Sequence, residues 1–287
     1  MTPTQIKATL ASLGSRPNKK LGQHFLIDIA ALDTIVTAAD IHPGDTVLEV
    51  GPGLGVLTGR LLNTGAEIHA IEQDRLFLPH LEKMFVGQAL SITHGDAASV
   101  HWHELVGDRP WKLISNLPYS ITSLALRKAL YAPRPAERVV VLIQKEVADR
   151  VVARDKKTSL LSLMVALASS SARIVRRVPP GAFYPPPKVQ SAVLEIFPLT
   201  RSDREQRWGM DPEKIMALAR LGFAHPRKQL ASNLAAGIHV GAHGVRPGQN
   251  NKTFVQSLLR DLSLSPTVRA EDLSPEQWAA LTKHLSV

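Results

Sequence analysis

Between residues 46 and 143, short runs of β-branched and apolar residues alternate with stretches whose apolar positions recur at helical spacing. The runs 46–50, 67–71, 90–94, 111–115 and 139–143 read as strands, with helices between them. That alternation predicts a doubly wound parallel sheet, because parallel neighbours need a long crossover and a helix is the compact way to make one. Residues 145–153 and 159–168 then read as helices, and 172–178 and 191–197 as two further strands that can pair antiparallel. The expectation is an α/β fold built on a Rossmann-like sheet of about seven strands. From 199 to 210 the chain is polar and charged, which places a domain boundary near residue 200 and gives domains 1–200 and 201–287. Asp211-Pro212-Glu213 has the form of a helix start, with Asp as the cap and Pro in the first turn. Residues 213–223, 227–236, 252–262 and 275–285 read as helices around a long glycine-bearing loop over 237–250, so the second domain is small and α-helical.

None of the 287 residues is cysteine, which excludes disulfides, thiolate nucleophiles and cysteine-ligated metals and fits a reducing cytoplasm. No metal centre is expected. The longest apolar runs, 139–143 and 160–168, are too short to span a bilayer, and no secretory leader opens the chain. A soluble cytoplasmic protein without a membrane partner is therefore expected. The net charge of +9 is unevenly spread: residues 1–27 hold four basic and no acidic side chains, 28–118 five against twelve, and 119–190 thirteen against four. A basic chain with one acidic segment suits a polyanion partner together with a pocket for something cationic or rich in hydroxyls.

Candidate chemistry sits at the strand ends. Glu49-Val50-Gly51-Pro52-Gly53-Leu54-Gly55 runs from a strand through a glycine-rich turn into a helix, where a ligand can approach the backbone closely. A dinucleotide site would want a small residue at position 56, where this chain has Val56. An acid at the strand end followed by glycines instead typifies sites for S-adenosyl-L-methionine, a cofactor with no pyrophosphate to neutralise. Glu72 ends the second strand, where a carboxylate can accept both ribose hydroxyls, and Asp96 follows the third, where it can accept from an adenine amine. Three acids in register after successive strands point to a nucleoside-type cofactor. After the fourth strand comes Asn116-Leu117-Pro118-Tyr119. Asn116 brings an amide, Pro118 a fixed φ and Tyr119 an aromatic face, a set that suits a flat, amine-bearing ring such as a flipped nucleobase. The same four residues also make an ordinary turn.

With these motifs the chain resembles the ribosomal RNA adenine N6,N6-dimethyltransferases of the small-subunit type. Leu21-Gly22-Gln23-His24-Phe25-Leu26 is similar to that family's amino-terminal cofactor motif, Phe183-Tyr184-Pro185-Pro186-Pro187-Lys188-Val189-Gln190-Ser191-Ala192 to its post-sheet motif, and Arg227-Lys228-Gln229-Leu230-Ala231-Ser232-Asn233-Leu234 to its carboxyl-terminal one. The resemblance implies a class I methyltransferase domain over 1–200 that uses S-adenosyl-L-methionine, and an α-helical RNA-recognition domain over 201–287. It implies a cofactor site of His24, Leu26, Gly51, Gly53, Glu72, Asp96 and Asn116. It implies that Leu117, Pro118, Tyr119 and Phe183 hold the target base, with Asn116 and Tyr119 as the catalytic pair. The implied reaction is dimethylation of two adjacent adenosines in a hairpin loop near the 3′ end of 16S rRNA, on a 30S precursor during ribosome biogenesis. A monomer is the default. Many relatives carry Asn where this chain has His24, whose other reading is a polar cap on the following helix. Phe183 could instead be a core aromatic ahead of the prolines. The alternatives are a large-subunit adenine methyltransferase of the antibiotic-resistance type and a non-catalytic assembly or transcription factor on the same scaffold. The motifs at 183–188 and 227–234 weigh against the first, and an intact 116–119 against the second.

Overall fold

The computed structural model describes residues 1–18, 21–153, 157–237 and 251–285. The loop expected over 237–250 falls, from 238 onward, outside them. The chain forms two compact units: 1–152 with 169–199, and 153–168 with 200–287. The helix at 160–168, which a division at residue 200 leaves with the sheet, belongs to the second.

The strands of the first unit are β1 (Phe25–Leu26), β2 (Thr46–Val50), β3 (Glu67–Glu72), β4 (Leu90–His94), β5 (Trp111–Asn116), β6 (Arg138–Gln144), β7 (Ser169–Val178), β8 (Phe183–Tyr184) and β9 (Ser191–Pro198). Its helices are α1 (Pro3–Ser12), α2 (Ile29–Ala39), α3 (Val56–Leu62), α4 (Leu78–Met84), α5 (Trp102–Val106), α6 (Thr122–Leu130) and α7 (Lys145–Val152). Seven strands form one sheet in the order β4-β3-β2-β5-β6-β9-β7, parallel except for β9, which runs antiparallel to both β6 and β7. The chain winds outward from β2 through β3 to β4, then crosses to the other side of β2 to lay down β5 and β6. The winding reverses between β2 and β5, and an open parallel sheet has its crevice at such a switch point, beyond the carboxyl ends of the strands. The central strands are buried along nearly their whole length, as a sheet covered on both faces requires. The edge strand β7 is half exposed and carries Arg173, Arg176 and Arg177, charges that discourage another strand from pairing there.

Helix α2 starts where the Asp28 carboxylate accepts from the Ala31 N–H, a cap of about 1 kcal/mol. Its apolar face, Leu32, Ile35 and Ala39, packs with Val140 and Leu142 of β6 and Val193 of β9. Helix α1 has no counterpart among the expected elements. Thr2 and Gln5 close a capping box at its start, and Ile6 and Leu10 are buried against Phe25, Leu54, Phe77, Leu81 and Phe85.

The second unit comprises α8 (Leu160–Ala168), α9 (Arg201–Trp208), α10 (Pro212–Gly222), α11 (Leu230–Gly237), α12 (Asn251–Asp261) and α13 (Pro275–Leu285). Two features correct the sequence reading. The polar stretch after 199, where periodicity predicts no element, forms α9: Thr200 caps it, Arg201 pairs with Glu205 one turn on, and Trp208 is buried with its indole N–H donating to the Leu167 carbonyl at 2.8 Å. The helix expected from 227 begins only at Leu230, because the Asn233 amide donates to the carbonyls of Gly222 and His225 and holds 223–229 as a turn. Gly222 lets the Trp278 ring pack against the α10 backbone, since a Cβ there would clash with the ring.

Candidate functional site

A cavity of about 320 Å³ lies beyond the carboxyl ends of β2, β3, β4 and β5, at the switch point of the sheet. The turn after β2 forms its floor. Gly51 and Gly53 have φ of +73° and +57°, a region costly for other residues, and a Cβ on Gly53 would come within 3.3 Å of the Phe25 ring. Gly55, at φ +77°, is the N-cap of α3 and packs so tightly that a Cβ would meet the Phe85 ring at 2.6 Å.

Three acids border this cavity and differ in environment. Glu49 is 1% exposed, and its carboxylate accepts from the Thr58 hydroxyl at 2.7 Å. Burial pushes its pKa up to about 8, reinforced by the nearby Glu72 charge and opposed by the Thr58 hydrogen bond. Glu72 accepts from the Gly53 N–H at 2.9 Å and the Asp74 N–H at 2.7 Å, one to each oxygen. Burial raises its pKa as well, and these backbone donors act against the rise. Asp96 is exposed and ties one oxygen to the Ala98 N–H at 2.8 Å, so its second oxygen is available to a ligand.

The opposite wall is the Asn116–Tyr119 corner. Asn116 Nδ2 donates to the His24 carbonyl at 3.2 Å. Since only the amide nitrogen can face a carbonyl, Oδ1 is left as the acceptor end, and it takes no hydrogen bond among the described residues. His24 Nδ1 donates to the Pro185 carbonyl at 2.7 Å, and its ring stacks on Tyr119 with centroids 6.1 Å apart. The Tyr119 hydroxyl shares a 2.6 Å hydrogen bond with Ser191 Oγ, and burial raises its pKa. The corner is thus braced by the chain before β1 and by the start of β9.

Of the candidate residues, His24, Leu26, Gly51, Gly53, Glu72, Asp96, Asn116, Leu117, Pro118 and Tyr119 line this one cavity. Phe183 does not. It is 3% exposed, opposite Leu26 in the β1–β8 pair, and packs in the core with Leu32 and Val193, as the core-aromatic reading expects. His24 serves the cavity wall and caps no helix; the cap of α2 is Asp28. The structure adds Gln23, which donates to Asp74 at 2.7 Å and accepts from the Asn18 N–H, and Ser191 behind Tyr119. Both stand inside motifs visible in the sequence, but Asp74 and Tyr119 are distant from them along the chain and no local spacing reveals those pairings. Among the described residues no group of three or more His, Cys, Asp or Glu could hold a metal ion, and no helix is long and apolar enough to cross a membrane.

The chain matches the family model described as "Ribosomal RNA adenine dimethylase" over residues 14–265. It is 39% identical to the ribosomal RNA small subunit methyltransferase A of Dehalococcoides mccartyi, over 96% of this chain and 91% of that one, and 36% identical to the protein of the same name from Deinococcus radiodurans, over 100% and 91%. Among solved structures it is similar to a dimethyladenosine transferase from Plasmodium falciparum, with a TM-score of 0.72 and 25% identity over 90% of this chain and 96% of that one. The fold is shared with the 23S rRNA methyltransferase ErmE, with a TM-score of 0.64 and 22% identity over 92% and 100%. A seven-stranded class I methyltransferase sheet, an amide-bearing corner at its switch point and a match to the family model over most of the chain together establish that this protein belongs to the ribosomal RNA adenine dimethylase family.

Proposed function

We propose that this rRNA adenine dimethyltransferase uses S-adenosyl-L-methionine to dimethylate N6 of two adjacent adenosines in a hairpin loop near the 3′ end of 16S rRNA, in a 30S precursor in the cytoplasm. The observation that carries the reading is the fixed Asn116 amide, which lines the cavity that Glu72 and Asp96 border, with its nitrogen held by the His24 carbonyl and its oxygen without a partner among the described residues. The names of the relatives favour a small-subunit target over a large-subunit one.

The cavity suits the cofactor. Gly51 and Gly53 keep the floor free of side chains, and Glu72, with both oxygens already ordered by backbone donors, retains lone pairs for two ribose hydroxyls. Asp96 offers its free oxygen to an adenine amine, and His24 and Leu26 close the end next to Asn116. When bound, the cofactor supplies an electrophilic sulfonium methyl.

The protein's share of the chemistry is orientation. The adenine N6 lone pair is delocalised into the ring and weakly nucleophilic. If Asn116 Oδ1 and the Leu117 carbonyl each accept an N6 hydrogen, the nitrogen is drawn out of conjugation and its lone pair is aimed into the cavity. Tyr119 provides a face for the base, worth about 1–3 kcal/mol against the cost of unstacking. Phe183 packs beside Leu26 in the core and offers the base no face. No strong base is required, because the proton can pass to water once the nitrogen is alkylated. The helical unit, 153–168 with 200–287, serves as the RNA-recognition domain and the sheet-bearing unit as the methyl-transfer domain. The test is methyl transfer from labelled cofactor to RNA of under-modified small subunits, with mass-spectrometric mapping of the product. Two adjacent dimethyladenosines are expected, and methylation confined to large-subunit RNA would refute the assignment.

A further inference from the structure

Lys128 of α6 counts, by sequence, among the thirteen basic residues of 119–190 that suit a polyanion. In the structure its ammonium is spent elsewhere. Nζ donates to the carbonyls of Ala97 at 2.8 Å, Ala98 at 2.6 Å and Val100 at 2.8 Å, with its charge 5.5 Å from the centroid of the Trp102 ring. An ammonium has three donors and all three are used. The three carbonyls belong to the turn after β4 that carries Asp96. That turn also closes on itself, through the Ser99 and Val100 N–H groups on the Asp96 carbonyl, the Ala98 N–H on the Asp96 carboxylate, and the Trp102 indole on the Ala97 carbonyl at 3.0 Å. Three carbonyls converging on one point repel one another unless a cation sits between them. Helix α6 follows directly on the 3₁₀ turn Tyr119–Ile121, so one rigid element joins the base-facing corner to the turn that presents Asp96.

We propose that Lys128 is a positioning residue for purine selectivity: by tying three carbonyls of the 95–100 turn, it holds the free Asp96 oxygen where it receives the exocyclic amine of the cofactor's adenine. The proposal rests on the reading of Asp96 given above. It makes Lys128 part of a cofactor-selective device rather than of the RNA-binding surface.

The test measures binding without RNA, by calorimetry, of S-adenosylhomocysteine and of its analogue with hydrogen in place of the adenine amine, to the unaltered protein and to Lys128→Met, Lys128→Arg and Asp96→Ala. The unaltered protein should prefer the amine-bearing ligand by about tenfold or more. Asp96→Ala should abolish that preference. Lys128→Met should abolish most of it while binding the deamino analogue as the unaltered protein does, and Lys128→Arg should restore part of it. If Lys128→Met weakens both ligands equally, the lysine only supports the fold and the proposal fails. If it leaves the preference intact while Asp96→Ala removes it, the proposal fails and the Asp96 reading stands. If Asp96→Ala keeps the preference, the Asp96 reading itself falls, and this inference with it.

Discussion

The amide nitrogen of Asn116 is occupied by the His24 carbonyl, which leaves its oxygen for the orienting role proposed above. That division explains why a residue common in turns can serve as an orienting group: a fixed acceptor needs no reorganisation when the base arrives. Asn116→Ala is expected to lower methyl transfer by about 100-fold or more while S-adenosylhomocysteine still binds within about tenfold. Tritium transfer and calorimetry measure the two, and near-normal turnover would remove Asn116 from the mechanism. Glu49 makes a separate prediction. Its pKa rises in the folded state from the ordinary 4.5 to about 8, so the native protein holds this proton more tightly than the unfolded chain does. The resulting stability is fully present below 4.5 and is lost as the pH climbs through about 8. Melting temperatures of the unaltered protein should therefore decline across that window. Glu49→Gln, which stays neutral, should flatten the decline, and identical profiles would show that Glu49 does not titrate there.

At the level of elements, the site is a property of strand order. Glu49, Glu72, Asp96 and Asn116 lie far apart in sequence, and they meet because β4, β3, β2 and β5 are successive neighbours whose carboxyl ends face one way. The turn that connects β2 to α3 is constrained both in backbone conformation and in space. At Gly55 a positive φ combines with a Cβ position 2.6 Å from Phe85, so Gly55→Ala should cost about 2 kcal/mol or more, from strain and overpacking together. The check is a lowered midpoint in denaturant at unchanged slope, and an unaltered midpoint would mean that the Phe85 ring moves freely aside. Helix α9 shows the converse, an element whose stability is tertiary. Its sequence is almost wholly polar, and it forms because Thr200 caps it and Trp208 buries its ring in the second unit.

For the whole molecule, charge is the property that bears on RNA. Of the thirteen basic residues in 119–190, Arg138 and Arg173 pair with buried Glu195, Arg177 and Lys145 with Asp149, Arg176 with Asp28 and Arg150 with Glu146, while Lys128 holds backbone carbonyls. The cations left to meet phosphate are fewer than composition suggests. RNA affinity should fall linearly with the logarithm of salt concentration, with a slope of about −0.7 for each single-strand phosphate neutralised, and shallower than thirteen such contacts would give. Binding assays over a range of potassium chloride read the slope directly, and salt-independent association would refute the polyanion reading.

Much of this was legible in the chain. Hydrophobic periodicity determined the seven strands and most helices, because burial on both faces of a central sheet leaves apolar runs such as 139–143 that little else produces. The glycine turn, the acids at strand ends and the 116–119 corner were readable because backbone conformation and hydrogen-bonding capacity are local properties of residue types. Tertiary structure alone decided which groups are spent on one another. It placed Phe183 in the core, tied Lys128 to backbone carbonyls, engaged the Asn116 nitrogen with the His24 carbonyl and set Ser191 behind Tyr119. These outcomes depend on contacts between residues remote in sequence. Periodicity registers whether a side chain is buried, but not which partner its polar atoms find there.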